Sequence, residues 1–195
     1  MRATSRLLLS VVLGLLWVAA ASAQEAGRVG ITMGYPTAVG VIWHLSDAIA
    51  VRPELNVTTS TTNAALSTTS ATAYGVGVTG LFYFKRWDAV GAYLAPRYGY
   101  QHGSATTGLG VDLPLPLPID LSSIESGTTT SQHNFSGLVG AQFFAHRHFA
   151  VFGEIGATYS TATIRFTVPP AVPALADESS HAFGIRSSAG AVFYF

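Results

Sequence analysis

Residues 187–195, SSAGAVFYF, decide how the rest of the sequence is interpreted. The stretch closes on three aromatic residues, and apolar residues recur at every second position back from Phe195. The last residues of a soluble domain are usually polar and frayed unless something ties them down. A spacing of two is that of a β-strand with one apolar face. We therefore predict that residues 183–195 form the last strand of a sheet, with Phe193 and Phe195 on its apolar face.

The same alternation recurs along the chain from residue 29, and no segment there has the 3.6-residue period of a helix. Each candidate strand has apolar residues on one face and small or polar residues on the other. Eight such segments are found: residues 29–35, 39–44, 51–58, 74–84, 90–100, 135–143, 149–160 and 183–195. Residues 29–44 also fit a single long strand, which would leave seven. Bacterial single-chain membrane barrels have even strand numbers, so we predict eight.

The lengths of the connections favour one arrangement of these strands. Short and long connections alternate strictly, which in an up-and-down barrel places all the tight turns at one end. This asymmetry is typical of outer-membrane β-barrels, and a Greek-key sandwich has no reason to produce it. The short connections are residues 45–48, 85–88 and 145–148, and the predicted long loops are residues 60–72, 103–130 and 167–179. We predict an all-β, up-and-down antiparallel transmembrane barrel. The alternative is a soluble secreted sandwich or barrel with its apolar faces inside.

The first 23 residues have the three parts of a cleaved signal peptide. Arg2 and Arg6 precede an apolar run, and Ala21-Ser22-Ala23 is a small-residue cleavage site. We therefore predict residues 1–23 as a signal peptide and residues 24–195 as the exported barrel domain. Removal of the two arginines leaves 8 basic residues against 10 acidic ones, which excludes a nucleic-acid binder that works through a basic face. The chain has no Cys, so it forms neither disulfides nor thiolate metal sites.

Five charged residues fall on the polar face of their predicted strands. An eight-stranded barrel has an interior just wide enough for side chains to fill it, so these charges would be buried in a closed lumen and must be paired. A charge on the lipid face would cost about 2–4 kcal/mol near the midplane. We predict an interior charge network of Arg52, Glu54, Arg97, Glu154 and Arg186, completed by His44, Tyr93 and Gln142.

Aromatic residues cluster toward both ends of the predicted strands, as in the two interfacial girdles of a membrane barrel. The girdle near the short turns includes Trp43, Trp87 and Phe149, and the girdle near the long loops includes Tyr74, Tyr98, Tyr100 and Tyr159. Pro53 and Pro96 fall inside predicted strands, where each removes a ladder donor. We expect local bulges at these two prolines.

Taken together, the signal peptide, the eight alternating segments and the terminal GAVFYF resemble the small eight-stranded outer-membrane proteins of the OmpA-transmembrane-domain, OmpX and opacity-protein type. The resemblance covers residues 24–195. It implies a monomeric barrel in the bacterial outer membrane, in contact with outer-membrane lipid and lipopolysaccharide. It also implies that the barrel-assembly machinery reads Phe195 and Phe193 as an assembly signal, and that no peptidoglycan-binding domain follows.

One enzymatic alternative arises from a second, partial resemblance. His102 and Ser104, near the external end of the fifth strand, resemble the His-x-Ser pair of outer-membrane lipid A deacylases, in which a His activates a lipid-facing Ser. Both residues have outward parity, as that chemistry requires. The pattern departs from the family at Ala105, where an Asn is usual. The orienting Glu is also missing from the predicted sixth strand, since Glu125 falls in the predicted loop.

The long loops favour a surface role over catalysis. Residues 111–119, VDLPLPLPI, alternate Leu and Pro, and such a segment is extended and apolar enough to lie on lipopolysaccharide or to meet a partner. The catalytic motifs of hydrolases, zinc proteases and nucleotide-binding enzymes are absent. We therefore predict a structural or surface-interacting barrel with no open pore, no cofactor and no metal.

Overall fold

The computed structural model describes residues 26–36, 38–64, 67–109, 125–167 and 176–195. The predicted signal peptide and the Leu/Pro stretch at residues 111–119 lie outside these ranges. Eight antiparallel strands close into a barrel in chain order: β1 (Val29–Tyr35), β2 (Ala38–His44), β3 (Ile49–Ala64), β4 (Ser67–Trp87), β5 (Val90–Leu109), β6 (Glu125–His146), β7 (Phe149–Thr167) and β8 (Glu178–Tyr194). Among the described residues, no helix is long and apolar enough to cross a membrane.

The barrel closes between its first and last strands, and the prediction of eight strands is confirmed. Residues 29–44 form two strands, β1 and β2, which pair from Val29↔Trp43 to Gly34↔Ala38. The other edge of β1 pairs antiparallel with β8, including Gly30↔Tyr194. The backbone N–H of Phe195 donates to the carbonyl of Val29 at 3.1 Å. The terminal aromatic stretch is thus tied down as the closing strand.

Six strands are much longer than a membrane crossing requires. Strands β3 to β8 contain 16, 21, 20, 22, 19 and 17 residues, whereas about 9–11 are sufficient to span. The predicted loop at residues 60–72 is therefore wrong, because β3 and β4 stay paired out to Ala64↔Ser67. Similarly, β5 and β6 pair out to Gly108↔Glu125, so Glu125 begins β6 and does not lie in a loop. These segments are rich in Thr and Ser on both faces, so they have strand propensity without the alternation that marked the other strands.

The first two strands contain only 7 residues each and leave a gap in the rim of the barrel. On one side, β2 pairs with β3 only as far as Leu55. On the other side, β1 reaches only Ala189 of β8. Strands β3 and β8 extend past the turn at Tyr35–Pro36, toward the long-strand end of the barrel. In that part no described strand lies between them. We call this gap the notch.

Pro53 and Pro96 each remove a hydrogen-bond donor from the ladder, but neither lies at a bulge. Pro53 pairs in register with Val78, and Pro96 pairs with Gly137. On the other edge of β5, the pairs on the two sides of Pro96 are Thr79↔Arg97 and Phe82↔Leu94. Both pairs have the same register, so no extra residue is inserted in either strand at Pro96. The expected bulges at Pro53 and Pro96 are therefore wrong. The register shifts in β4–β5 and β6–β7 lie at Tyr83/Lys85 and Phe144/His146, close to the tight turns.

The two faces of the barrel wall have opposite character. Large apolar side chains point outward and are exposed, among them Val41, Leu55, Val76, Val139, Ile155 and Ile185. Lys85 lies on the outer face at the short-turn end of β4, against the Trp87 ring. Between that level and the outward tyrosines, the described outer face carries no Asp, Glu, Lys or Arg side chain. Polar and charged side chains point inward and are buried. These exposures contradict the soluble alternative, which requires the apolar faces inside.

Candidate functional site

The five predicted charged residues all lie in the lumen, at one level of the barrel. Three ion pairs join four of them. The Arg52 guanidinium donates through Nε to Glu54 at 2.7 Å and through Nη2 to the Glu154 carboxylate at 2.9 Å. Arg97 Nε donates to the second oxygen of Glu54 at 2.9 Å. Strands β3, β5 and β7 thus meet across the lumen through alternating charges, because each residue has inward parity.

Both oxygens of Glu154 are fully engaged. Besides Arg52, the carboxylate accepts from Tyr93 Oη at 2.9 Å and from Ser188 Oγ at 2.7 Å. Tyr93 was predicted as a network member, whereas Ser188 was not. Its signal in the sequence was its inward parity on β8, opposite Glu154 in the β7–β8 register. The Arg52 guanidinium also stacks on the Phe152 ring, 4.6 Å from its centroid.

Arg97 lies flat against the barrel wall because two glycines leave room for it. Gly77 and Gly99 pair across β4 and β5. A Cβ atom on Gly77 would lie 2.9 Å from Arg97 Nη2, and one on Gly99 would lie 3.1 Å from Nη1. A side chain at either position would therefore push the Arg97 guanidinium aside. The two glycines leave the space that this guanidinium fills.

Arg186 differs from the other charged residues of the cluster. It lines the same space as Arg97 and Glu54, yet none of the ion pairs among the described residues includes it. Its Nε is buried and has no hydrogen-bond partner. Arg186 was predicted as a member of the charge network; it lies in the lumen beside the other four residues but forms no ion pair with them. The Glu54 and Glu154 carboxylates accept instead from Arg52, Arg97, Tyr93 and Ser188.

The lumen between this cluster and the short turns is filled by a neutral polar chain and apolar side chains. Tyr83 Oη donates to Gln142 Oε1 at 2.6 Å, and Gln142 Nε2 donates to Tyr194 Oη at 2.8 Å. His44 Nε2 lies 3.1 Å from the same Tyr194 oxygen. His44 and Gln142 were expected to complete the charge network, but they belong to this separate chain. We call it, with its apolar neighbours Ile42, Leu81, Ala95, Leu138 and Val192, the plug.

The structure does not bring the two candidate catalytic residues together. His102 Nδ1 lies 3.0 Å from Ser131 Oγ on β6, its direct cross-strand neighbour. The His102 ring also lies 5.3 Å from the Tyr74 ring. Ser104 pairs with Thr72 and Thr129 in the flanking strands. Ser131 was missed in the sequence because its strand was taken to begin at residue 135.

The predicted assembly residues lie on the outer face of the closing strand. Phe193 and Phe195 are both exposed, and the Phe193 ring packs 5.1 Å from the ring of Phe149. Their neighbour Tyr194 points into the lumen as part of the plug. No group of three or more His, Cys, Asp or Glu side chains in the described ranges is arranged to hold a metal ion.

The fold is similar to those of solved outer-membrane proteins. A major outer membrane protein from Thermus thermophilus superposes with a TM-score of 0.56 at 11% identity, covering 88% of this chain and 100% of that chain. Ail, the attachment invasion locus protein of Yersinia pestis, superposes with a TM-score of 0.53 at 14% identity, with the same coverage. The resemblance to small eight-stranded outer-membrane barrels is therefore confirmed at the level of the fold. No protein-family model matches the sequence, and no curated protein sequence matches it.

Proposed function

We propose that this chain is an outer-membrane β-barrel protein, exported through its signal peptide and embedded by the half of the barrel nearest the short turns. One observation carries the proposal: at this level the outer face is apolar and uncharged, while the charges are buried in the lumen. A bilayer around the barrel favours this inverted polarity. The strands also pair with one another around a closed ring, so the barrel exposes no open sheet edge to lipid at this level.

We infer that the barrel has no open pore. The plug crosses the lumen, and its residues Ile42, His44, Leu81, Gln142 and Val192 are each at most 1% exposed. An ion that entered from the long-strand end would meet this packed layer. The protein would therefore act through its surface and its stability in the membrane rather than by conducting solutes.

The outer surface offers a contact zone for lipid headgroups where the apolar band ends. Tyrosine and histidine side chains pair there across neighbouring strands. Tyr98 Oη lies 2.9 Å from His133 Nδ1, and Tyr159 Oη lies 3.2 Å from His181 Nδ1. Rings with an apolar body and a polar edge suit the interface between lipid tails and headgroups. Beyond this zone the Ser- and Thr-rich wall would face the outside of the cell, where it could contact lipopolysaccharide or a partner.

Heat-modifiability tests the proposal directly. The protein is expressed with its own N-terminus in a Gram-negative host, and the outer-membrane fraction is run on SDS gels with and without boiling. We expect a band in that fraction whose mobility shifts on boiling, because a closed barrel resists SDS until it is heated. Recovery of an unshifted protein from the periplasmic fraction would refute membrane insertion.

The hydrolase alternative retains one favourable observation, the outward-facing His102–Ser131 hydrogen bond. A Ser activated by a His needs a third group to orient the ring, and no hydrogen bond from His102 to a carboxylate occurs among the described side chains. We expect overexpression of the wild-type chain and of the Ser131→Ala and Ser104→Ala variants to give identical lipid A mass spectra. If lipid A lost acyl chains in cells that express the wild type but not in cells that express either variant, the hydrolase hypothesis would be supported.

A further inference from the structure

We propose that the lumen contains a binding site for a small oxyanion, formed by Arg97 and Arg186 on the long-strand side of the charge cluster. The ligand class is a phosphate, sulfate or carboxylate group, recognised by guanidinium and amide donors. The proposal concerns the inside of the barrel and does not depend on which membrane or surface the outside contacts.

The first argument is the charge balance of the cluster. At this level the described lumen holds three guanidinium groups, those of Arg52, Arg97 and Arg186, against the two carboxylates of Glu54 and Glu154. Along β8 the next acidic residue from Arg186 is Glu178, eight positions away, or roughly 26 Å of strand. The cluster therefore carries one positive charge that no described acidic residue offsets. Arg186 is half-buried and its Nε is buried, so an anion would offset the cost of holding this charge beside the other arginines.

The second argument is that Arg186, which carries the unbalanced charge, has a hydrogen-bond donor without a partner. Arg186 Nε is buried without a partner, and the two glutamates of the cluster are paired with other arginines. Glu54 gives one oxygen to Arg52 and the other to Arg97. The donors that remain on Arg186 are therefore available for an anion. Guanidinium groups bind oxyanions with two parallel N–H bonds, which gives geometric selectivity as well as charge.

The third argument is the space next to these groups. A pocket open to solvent at one side lies against Arg97 and Arg186, and its empty space, open solvent included, is about 330 Å³. Its polar lining groups include the side chains of Asn56, Gln101 and Asn134. Glu54 also lines the cavity, but its charge is offset by the two arginines that it contacts. The buried Asn56 Oδ1 has no partner, so a hydrated anion would satisfy both orphaned groups.

The notch provides a route to this site. An adjoining cavity extends from Arg97 and Arg186 to Tyr35, Pro36 and Ala38, the residues at the short β1–β2 turn. We therefore place the entry of the anion on this side of the barrel, where β1 and β2 end. The plug closes the lumen beyond this site, so a bound anion could leave only by the way it entered. The site is therefore a binding site and not part of a conduction pathway.

The test uses the full mature chain, refolded in a neutral detergent and dialysed into a buffer of large, weakly bound ions. Inorganic phosphate is titrated in while the thermal unfolding midpoint and the heat of binding are measured. We expect a saturable rise in the midpoint, since a ligand that binds only the folded state stabilises it. Arg186→Gln should weaken phosphate binding by at least about tenfold, the factor expected for one lost charge-assisted hydrogen bond.

A control variant separates a site from general charge effects. Arg165→Gln removes an exposed arginine, one that pairs with Asp177 outside the cluster, and should leave phosphate binding unchanged. Without phosphate, Arg186→Gln should unfold at a higher temperature than the wild type, because it removes a half-buried positive charge that has no counter-charge. If Arg186→Gln fails to fold, Arg186→Lys keeps the charge and should bind phosphate more weakly than the wild type. Equal phosphate affinity in the wild type and the Arg186 variant, or no saturable effect in the wild type, would overturn the proposal.

Two further titrations identify the source of the anion. Sulfate and acetate in the same detergent test free anions. Vesicles of phosphatidylglycerol, compared with phosphatidylcholine vesicles, test a lipid headgroup that reaches in through the notch. An Arg186-dependent effect of the free anions supports a soluble ligand, and one confined to phosphatidylglycerol supports a headgroup phosphate. If neither depends on Arg186, no oxyanion site exists.

Discussion

The two halves of the lumen are built on different principles. On the short-turn side, the plug is packed from aromatic and aliphatic side chains, and its polar atoms are joined by hydrogen bonds between neutral groups. On the long-strand side, the lumen is held by ion pairs between strands that are far apart in the sequence, and one cation is left over. The plug is therefore the part suited to closing and stabilising the barrel. The charge cluster is the part where a ligand would have something to bind.

Removal of Glu154 should have the largest effect, because it breaks the charge cluster at its most connected point. Glu154→Gln leaves Arg52, Arg97 and Arg186 with Glu54 as their single counter-charge. Loss of one partner of a buried pair typically costs about 3–5 kcal/mol. We expect a loss of this size in the free energy of unfolding, measured by urea titration in lipid vesicles. Glu178→Gln, at an exposed position on the rim, is the matched control and should change stability little. Equal effects of the two changes would mean that the cluster is solvated rather than buried.

The boundary between the embedded half and the outer wall can be located along β7. Ile155 is 60% exposed on the outer face at the level of the charge cluster, and Ile155→Arg should cost about 2–4 kcal/mol if it faces the lipid interior. Thr163→Arg places the same side chain on the same face eight residues further on, next to the natural Arg165. We expect it to cost less than about 1 kcal/mol. The readout is the urea midpoint in vesicles, and equal costs at the two positions would argue against an embedded band.

The fold was predictable because membrane strands carry a strong two-residue pattern. Lipid outside and a filled lumen inside impose opposite polarity on alternate residues, so strand number, order and parity could be read from the sequence. Beyond the lipid this pressure disappears. Residues 58–73 are Ser, Thr, Ala and Asn with few exceptions, and both faces of a wall that projects into water tolerate such residues. The extensions of β3 and β4 were therefore taken for a loop.

The site was predictable in its membership but not in its pairing. Inward parity places Arg52, Glu54, Arg97, Glu154 and Arg186 in the lumen, but parity does not give the height of each residue or the direction of its side chain. For example, Glu154 accepts from Tyr93 and Ser188, and Arg186 is left without an ion pair to a described residue. Parity alone does not predict this choice of partners. The separation of His44 and Gln142 from the cluster depends on the register between strands. Register is set by the pairing of all the strands around the barrel, so the sequence of a single strand does not predict it.

The plug can be tested by removing one hydroxyl group. Tyr194→Phe keeps the ring but leaves the Gln142 amide and the His44 ring without the oxygen that joins them. A buried donor that loses its partner typically costs about 1–3 kcal/mol, so this effect should be smaller than that of Glu154→Gln. Phe144→Leu, at a neighbour whose ring stacks on Tyr194, tests packing without removing a hydrogen bond. Because Tyr194 and Glu154 have separate hydrogen-bond partners, the effects of Tyr194→Phe and Glu154→Gln should add within about 0.5 kcal/mol in the double variant. A large departure from additivity would mean that the two halves act as one network.

The smallest effect should come from the ion pair outside the barrel interior. Arg165 Nε donates to Asp177 at 3.1 Å, with side chains that are 72% and 56% exposed. Water solvates both groups before and after the pair breaks, so Asp177→Asn should change the free energy of unfolding by less than about 1 kcal/mol, and less still in high salt. The comparison with Glu154→Gln holds the chemistry constant, since each change neutralises one carboxylate that accepts from an arginine. Only the surroundings differ, and the ratio of the two effects therefore measures how far the lumen is shielded from water. If Asp177→Asn proved as costly as Glu154→Gln, burial could not be the source of the cluster's strength.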